Sequence, residues 1–136
     1  MAELVLTNAQ VKVNGVDLSD HVTQVKIVHK AELQDDTAMS MGTRSRTPGL
    51  LDWSITIDFK QDFAASKVDA TLFPLVGAAA FAVDIQAVAG ARSTTNPSYN
   101  GNAVLGSHDP ISGQIGKLLM NSVVFEAAGP LSRSLG

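Results

Sequence analysis

Residues 51–60 read LDWSITIDFK, and bulky apolar side chains alternate with small polar ones without interruption. Leu51, Trp53, Ile55, Ile57 and Phe59 fall on one face, with Asp52, Ser54, Thr56, Asp58 and Lys60 on the other. Side chains point to opposite faces only with the period of two that a strand has, so a helix would scatter both sets around its axis. A strand with one bulky and one wet face belongs in an antiparallel sheet packed on one side. The alternation therefore assigns Trp53, Ile55, Ile57 and Phe59 to the core and leaves a polar, net acidic face to water or to a partner.

The rest of the chain reads as further strands. Residues 3–13 (ELVLTNAQVKV) form one strand or two short ones. Asn14-Gly15 lies between Val11, Val13 and Val16, Leu18, and both turn residues tolerate positive φ, so a type I′ hairpin is expected. Residues 22–33 alternate again, with Val25, Ile27, His29, Ala31 and Leu33 inward. The period changes over residues 62–76. Val68 and Leu72, with Phe73, Leu75 and Val76, predict one short helix, capped by Ser66 or Asp62 and ended by Pro74; Leu72 and Phe73 join the predicted core. Phe81, Val83, Ile85, Ala87 and Ala89 define another inward face opposite Asp84 and Gln86. Residues 90–102 are rich in Ser, Thr, Asn and Pro and read as a loop that contains Tyr99. A short strand is expected at 103–106, a loop at 107–117 and a last strand at 118–127, with Leu119, Val123 and Phe125 inward. Residues 129–136 read as a loose tail. The fold class is mainly β, a small sandwich or partly open barrel with one flanking helix, in a single domain spanning 1–136.

Between the two best strands lies LQDDTAMSMGTRSRTPGL, residues 33–50. Hairpin connections usually run about two to five residues, and much longer ones are commonly functional. This one carries Gln34, the acidic pair Asp35 and Asp36, Thr37, and the basic pair Arg44 and Arg46. Two clusters of opposite sign suit complementary contacts with another copy, and Met39 and Met41 suit an adaptable apolar contact. Its composition predicts disorder until such contacts form.

Catalytic chemistry finds little support. His21 and His29 are roughly 26 Å apart on an extended strand and cannot share a metal there. His108-Asp109 has no nucleophile beside it. Residues 113–117 (GQIGK) fail as a phosphate loop, because the glycines are too close and Leu118 stands where Ser or Thr would hold magnesium. Asp35-Asp36 lacks the alternating ligands of a calcium loop, and Asn96-Pro97-Ser98 is barred from glycosylation by its proline. The 136 residues include no cysteine, which excludes disulfides and thiolate zinc sites, and a net charge of -3 argues against tight nucleic-acid binding. No enzyme activity, metal or cofactor is expected. MAELVLTNAQ does not read as a signal peptide, and no apolar run approaches the roughly 20 residues of a membrane span. Solubility, synthesis in a cytoplasm and no membrane insertion are the expectation.

Three stretches taken together, VNGVDLSDHVTQVKI, LQDDTAMSMGTRSRTPGL and LDWSITIDFKQDF followed by a short helix, resemble the tail tube proteins of long-tailed bacteriophages, especially those infecting actinobacteria. The resemblance covers about residues 5–90, with a looser match to the last strand. It implies a tail-tube-like β-sandwich with a flanking helix. It further implies hexameric rings stacked into a hollow tube that conducts the genome, with strands of each copy joining a barrel around the lumen. Residues 33–50 then become an extended assembly loop reaching an adjacent ring, through Gln34, Asp35, Asp36, Thr37, Met39, Met41, Arg44 and Arg46. Asp52, Ser54, Thr56, Asp58, Asp84, Gln86, Ser122 and Glu126 become lumen-facing positions of weakly negative charge, past which DNA moves without specific binding. The implied setting is the virion tail, with synthesis of the chain in the host cytoplasm. The implied partners are other copies of the chain, the tape measure protein, the tail terminator and tail-tip proteins. Two alternatives remain at this level: a terminator, head-tail joining or tail-tip ring on a related fold, and a small β-rich binding module.

Overall fold

The computed structural model describes residues 4–135, so the expected strand start at Glu3 and the final Gly136 lie outside the described residues. In chain order the elements are β1 (Gln10–Val13), β2 (Val16–Asp17), β3 (Val22–Asp35), β4 (Arg46–Lys60), α1 (Val68–Leu72), β5 (Phe81–Gln86), β6 (Ser98–Leu105), β7 (Met120–Ala127) and β8 (Ser132–Ser134). All strand pairings are antiparallel, and the order across the sheet is β2-β1-β5-β6-β7-β4-β3, with β8 paired to β6. The sheet curls so that β1 and β5 share one interior with β4 and β7, but it does not close: β3 forms its far edge.

The interior follows the alternation. β4 shows strictly alternating burial from Trp53 to Phe59, and Val11, Val13, Phe81, Val83, Ile85, Ala103, Leu105, Val123 and Phe125 complete the core from other strands. Phe81 and Phe125 meet edge to face, with ring centroids 5.8 Å apart. Leu18, Val68, Leu72 and Leu75 plug the interior. Asn14 and Gly15 take φ of 51° and 82°, as the predicted turn requires.

Several elements depart from the sequence reading. Phe73, expected in the core, is 68% exposed, because the chain enters a 3-10 turn at Phe73–Leu75 that directs Leu75 inward instead. Neither Ser66 nor Asp62 caps α1 through its side chain; the Asp62 carbonyl accepts the Asp69 amide, 3.1 Å away. Tyr99 lies in β6, not in a loop, because β6 begins at Ser98 and pairs with β5 along its polar first half. Ala87 and Ala89 fall beyond the end of β5. Inward on β7, fully buried Asn121 precedes Val123 and Phe125, while Leu119 precedes the strand.

The segment expected as a loop over 33–50 is largely hairpin. The β3–β4 ladder continues through Leu33 and Pro48, Gln34 and Thr47, to Asp35 and Arg46, so the connection proper is residues 36–45. The tail expected to be loose is also structured in part: β8 pairs with Ser98–Asn100, through Ser134, Arg133 and Ser132.

The boundary of the core on β4 is sharp. Trp53 is 2% exposed, yet Leu51, next on the same face, is 73% exposed. Ile57→Ala should therefore destabilise the isolated chain by about 2–5 kcal/mol, and Leu51→Ala by no more than about 0.5 kcal/mol, as read by urea denaturation.

Candidate functional site

Beyond Trp53 the β3–β4 hairpin leaves the body of the molecule as a two-stranded arm. Sequence reasoning assigned a single role to residues 33–50; the structure divides them into a ribbon and a turn. In the ribbon, Leu33 faces Pro48 and Ala31 faces Leu51, continuing the face that carries Ile55 and Ile57 nearer the base. Leu33 is 59% exposed, so this apolar face stays uncovered among the described residues. Gln34 is on the ribbon and donates to Glu32 Oε1 at 3.0 Å.

The turn is built, not structureless. Thr37 Oγ1 accepts from the Ser45 amide at 2.8 Å and donates to the Ser45 carbonyl at 3.2 Å, while the Asp36 amide donates to the same carbonyl. Asp35 accepts from the Thr37 amide and from Arg44 Nη1, each at 2.9 Å, and Thr47 Oγ1 donates to Asp36. Hydrogen bonds from Thr37 hold the Asp35 carboxyl below its ordinary range, with a smaller contribution from Arg44; those from Ser45 and Thr47 do the same for Asp36. The acidic residues of the arm are thus satisfied inside the hairpin. Met39, 96% exposed, and the less exposed Met41 occupy the tip, and Met41 Sδ accepts from the Ala38 amide at 3.0 Å.

The register gathers most of the predicted polar positions onto one face. Asp52 is opposite Lys30; Ser54 lies between Val28 and Glu126; Thr56 lies between Lys26 and Val124; Asp58 lies between Gln24 and Ser122. Paired residues of a ladder share a face. Glu32, Asp52, Asp58 and Glu126 are set against Lys26, Lys30 and Lys60, four carboxylates to three ammoniums. Asp84 and Gln86, opposite Asn100 and Ser98 of β6, lie on the same side of the sheet, since Val104 of β6 is opposite Glu126, but both are engaged within the subunit. Asp84 is bound by Arg92 Nη2 at 2.7 Å and by Ser98, and Gln86 is buried, donating to the Gly90 carbonyl at 3.2 Å. The loop after β5 folds back over both side chains, which periodicity alone does not reveal.

A second polar cluster escaped the sequence reading. His21 precedes β3, and its Nδ1 meets Asp20 Oδ1 at 2.7 Å while its Nε2 meets Asp62 Oδ2 at 2.8 Å. Lys67 Nζ lies 3.7 Å from Asp20. Asp62 follows β4, so this cluster closes the base of the hairpin at the end opposite the arm. The two carboxylates address opposite ring nitrogens and do not converge on one point, which suits a structural clamp better than a metal or catalytic site. The adjacent Asp20-His21 pair was the available signal; its distant partner Asp62 was not readable. His29 is exposed opposite Trp53, and His108 is half-buried in the loop before Pro110.

No protein-family model matches the chain, and no curated protein sequence matches it. Among solved structures it is similar to the tail of an empty gene transfer agent particle with C6 symmetry, with a TM-score of 0.69, 16% identity and 92% of each chain covered. It is also similar to the SPP1 tail tube, with a TM-score of 0.65 and 10% identity over 95% of this chain and 76% of that one. Hcp1 from Flavobacterium johnsoniae gives a TM-score of 0.58 and 14% identity over 96% of this chain and 97% of that one. The likeness is one of fold, and the fold observed is the one the sequence resemblance implied.

The His21 hydrogen bond, assisted by His21 and Lys67 charge, holds Asp20 below its ordinary value of 3.8; the Ala64 amide and then His21 do so for Asp62. The unfolded chain therefore binds protons that the folded chain does not, and the stabilisation is complete above 3.8 and lost as pH falls through the lower folded values. Urea midpoints should fall below about pH 4; in His21→Gln the midpoint at pH 6 should already be lower and the acid limb shallower.

Proposed function

We propose that this chain is the repeating subunit of a hollow tail tube, a structural protein of a phage-like particle. Copies assemble into hexameric rings, and the rings stack. The observation that carries this reading is the fold likeness over nearly the whole chain to the tail with C6 symmetry and to the SPP1 tail tube.

Three features of the molecule support it. β3 offers a long strand edge, and an uncovered edge pairs readily with another chain. In a ring that property closes a barrel instead of causing aggregation. The arm carries an exposed apolar face and two methionines away from the body, where it reaches a neighbouring ring. Contacts of that kind join different patches and do not close on themselves, so they propagate a filament. Individually modest contacts repeated around each ring hold it by avidity.

The polar face of β3, β4 and β7 lines the lumen in this reading. Ser54, Thr56, Asp58, Ser122 and Glu126 present short or acidic groups there, and the lysines keep the net charge close to zero. On such a wall the lysines are matched by at least as many carboxylates, so phosphates find no net positive surface and DNA passes without being held. Asp35, Asp36 and Arg44 serve the shape of the arm tip, and contact between rings falls to Leu33, Leu51, Met39 and Met41. The tape measure protein, a tail terminator and tail-tip proteins are the expected partners at the lumen and the two ends.

The test is negative-stain electron microscopy across a concentration series, beside a variant in which residues 36–45 are replaced by Asn-Gly. That replacement keeps the hairpin register, because Asn-Gly suits a two-residue turn. The intact chain should give tubes or stacked rings, and the variant single rings or monomers. Discrete single rings from both would move the reading to a terminator or joining ring. A folded monomer from both, even when mixed with preformed tail tips, would reject it.

A further inference from the structure

The β4–β7 ladder ends at Ser54 and Glu126, and beyond it β4 keeps only β3 as a neighbour. A two-stranded ribbon is marginal alone, so whatever sets the direction of the arm acts at its root. Trp53 stands there as the last buried residue of β4. Its Nε1 donates to the Gly129 carbonyl at 2.7 Å. The indole lies against β6 at Gly101, where a Cβ would come within 2.9 Å of Trp53 Cζ2 and 2.8 Å of the Pro130 carbonyl. No other residue fits that position without moving the indole or the C-terminal chain.

The chain after β7 is held on both sides of this contact. The Ala128 amide donates to the Asn102 carbonyl at 2.9 Å. Past Leu131, β8 resumes the pairing with β6, and Asn100 Nδ2 donates to Ser134 Oγ at 3.0 Å. Leu131 also lines a cavity of about 290 Å³ together with Ile27, His29 and Tyr99. Residues 128–134 thus cross beneath the root of the arm, touching β4 through Trp53 and approaching β3 through that cavity.

We infer that residues 128–134 are a brace that fixes the direction of the β3–β4 arm, with Trp53 as the positioning residue through which they act. A buried indole N–H needs an acceptor, and among the described residues the Gly129 carbonyl supplies it. The importance of the brace for assembly rests on the tube reading; the brace itself belongs to the single subunit.

The chain contains no cysteine, so Met39→Cys at the arm tip and Ala70→Cys on α1 can each carry a spin label. Pulsed EPR on separated subunits then reads one distance. The otherwise intact chain should give a single narrow distribution. A chain ending at Ala128 should lose that peak to a broad spread of distances while keeping its circular dichroism spectrum. Trp53→Phe, which retains a ring and removes the N–H donor, should do so in part, and it carries the test if the shortened chain fails to fold. A distribution as narrow as the intact chain's in every variant that folds overturns the brace. Broadening with tube growth unchanged would leave the brace standing and remove the docking role from the arm. A narrow distribution with tubes abolished would retain the tube reading and reject the brace.

Discussion

Backbone hydrogen bonding on both sides holds β4 in the body of the molecule, and the loss of one neighbour past Ser54 changes what the same strand does. From Ser54 to Lys60 it lies between β3 and β7, and its inward side chains are buried. Past Trp53 the alternation continues but, among the described residues, nothing covers Leu51 or Leu33. Each buried aliphatic or aromatic side chain contributes about 1.5–3 kcal/mol relative to exposure. The inner half of the hairpin collects that stabilisation, and the outer half holds its apolar face in reserve.

This division explains which parts were legible. The core residues Trp53, Ile55, Ile57 and Phe59 were readable because burial and alternation coincide along one unbroken strand. Leu51 satisfied the same pattern and yet is exposed, since periodicity reports which face a residue occupies, not whether anything lies above that face. The extension of the ladder to Asp35 and Arg46 was hidden because its residues are polar and strand propensity reflects mainly half-buried surface. β8, only Ser132, Arg133 and Ser134, carries no local signal at all; it exists because β6 has an open edge beside it and Trp53 has a donor to satisfy. Gln86 keeps the face that alternation assigns it but is buried, as a loop distant in pattern but near in space folds over it.

The charges show a consistent economy. Asp35 with Arg44, Asp84 with Arg92, and Asp20 and Asp62 with His21 are each matched within the subunit. Little strong unpaired charge of either sign is left on these sites to direct recognition. In the tube reading, copies find their register through strand edges and shape, and the lumen presents mixed charge instead of a single strong field.

The way β4 is shared between body and arm also decides how the subunit bears force. If the tip of the arm is held by a neighbour while the body is drawn away, tension runs along β4 and meets the β4–β7 ladder end-on. Antiparallel bonds lie across the strands, so such a pull shears the pairs from Ser54 to Lys60 together instead of peeling them one at a time. In the tube reading, an arm loaded this way resists extension better than sideways bending, and a stack of such subunits would flex while holding its length.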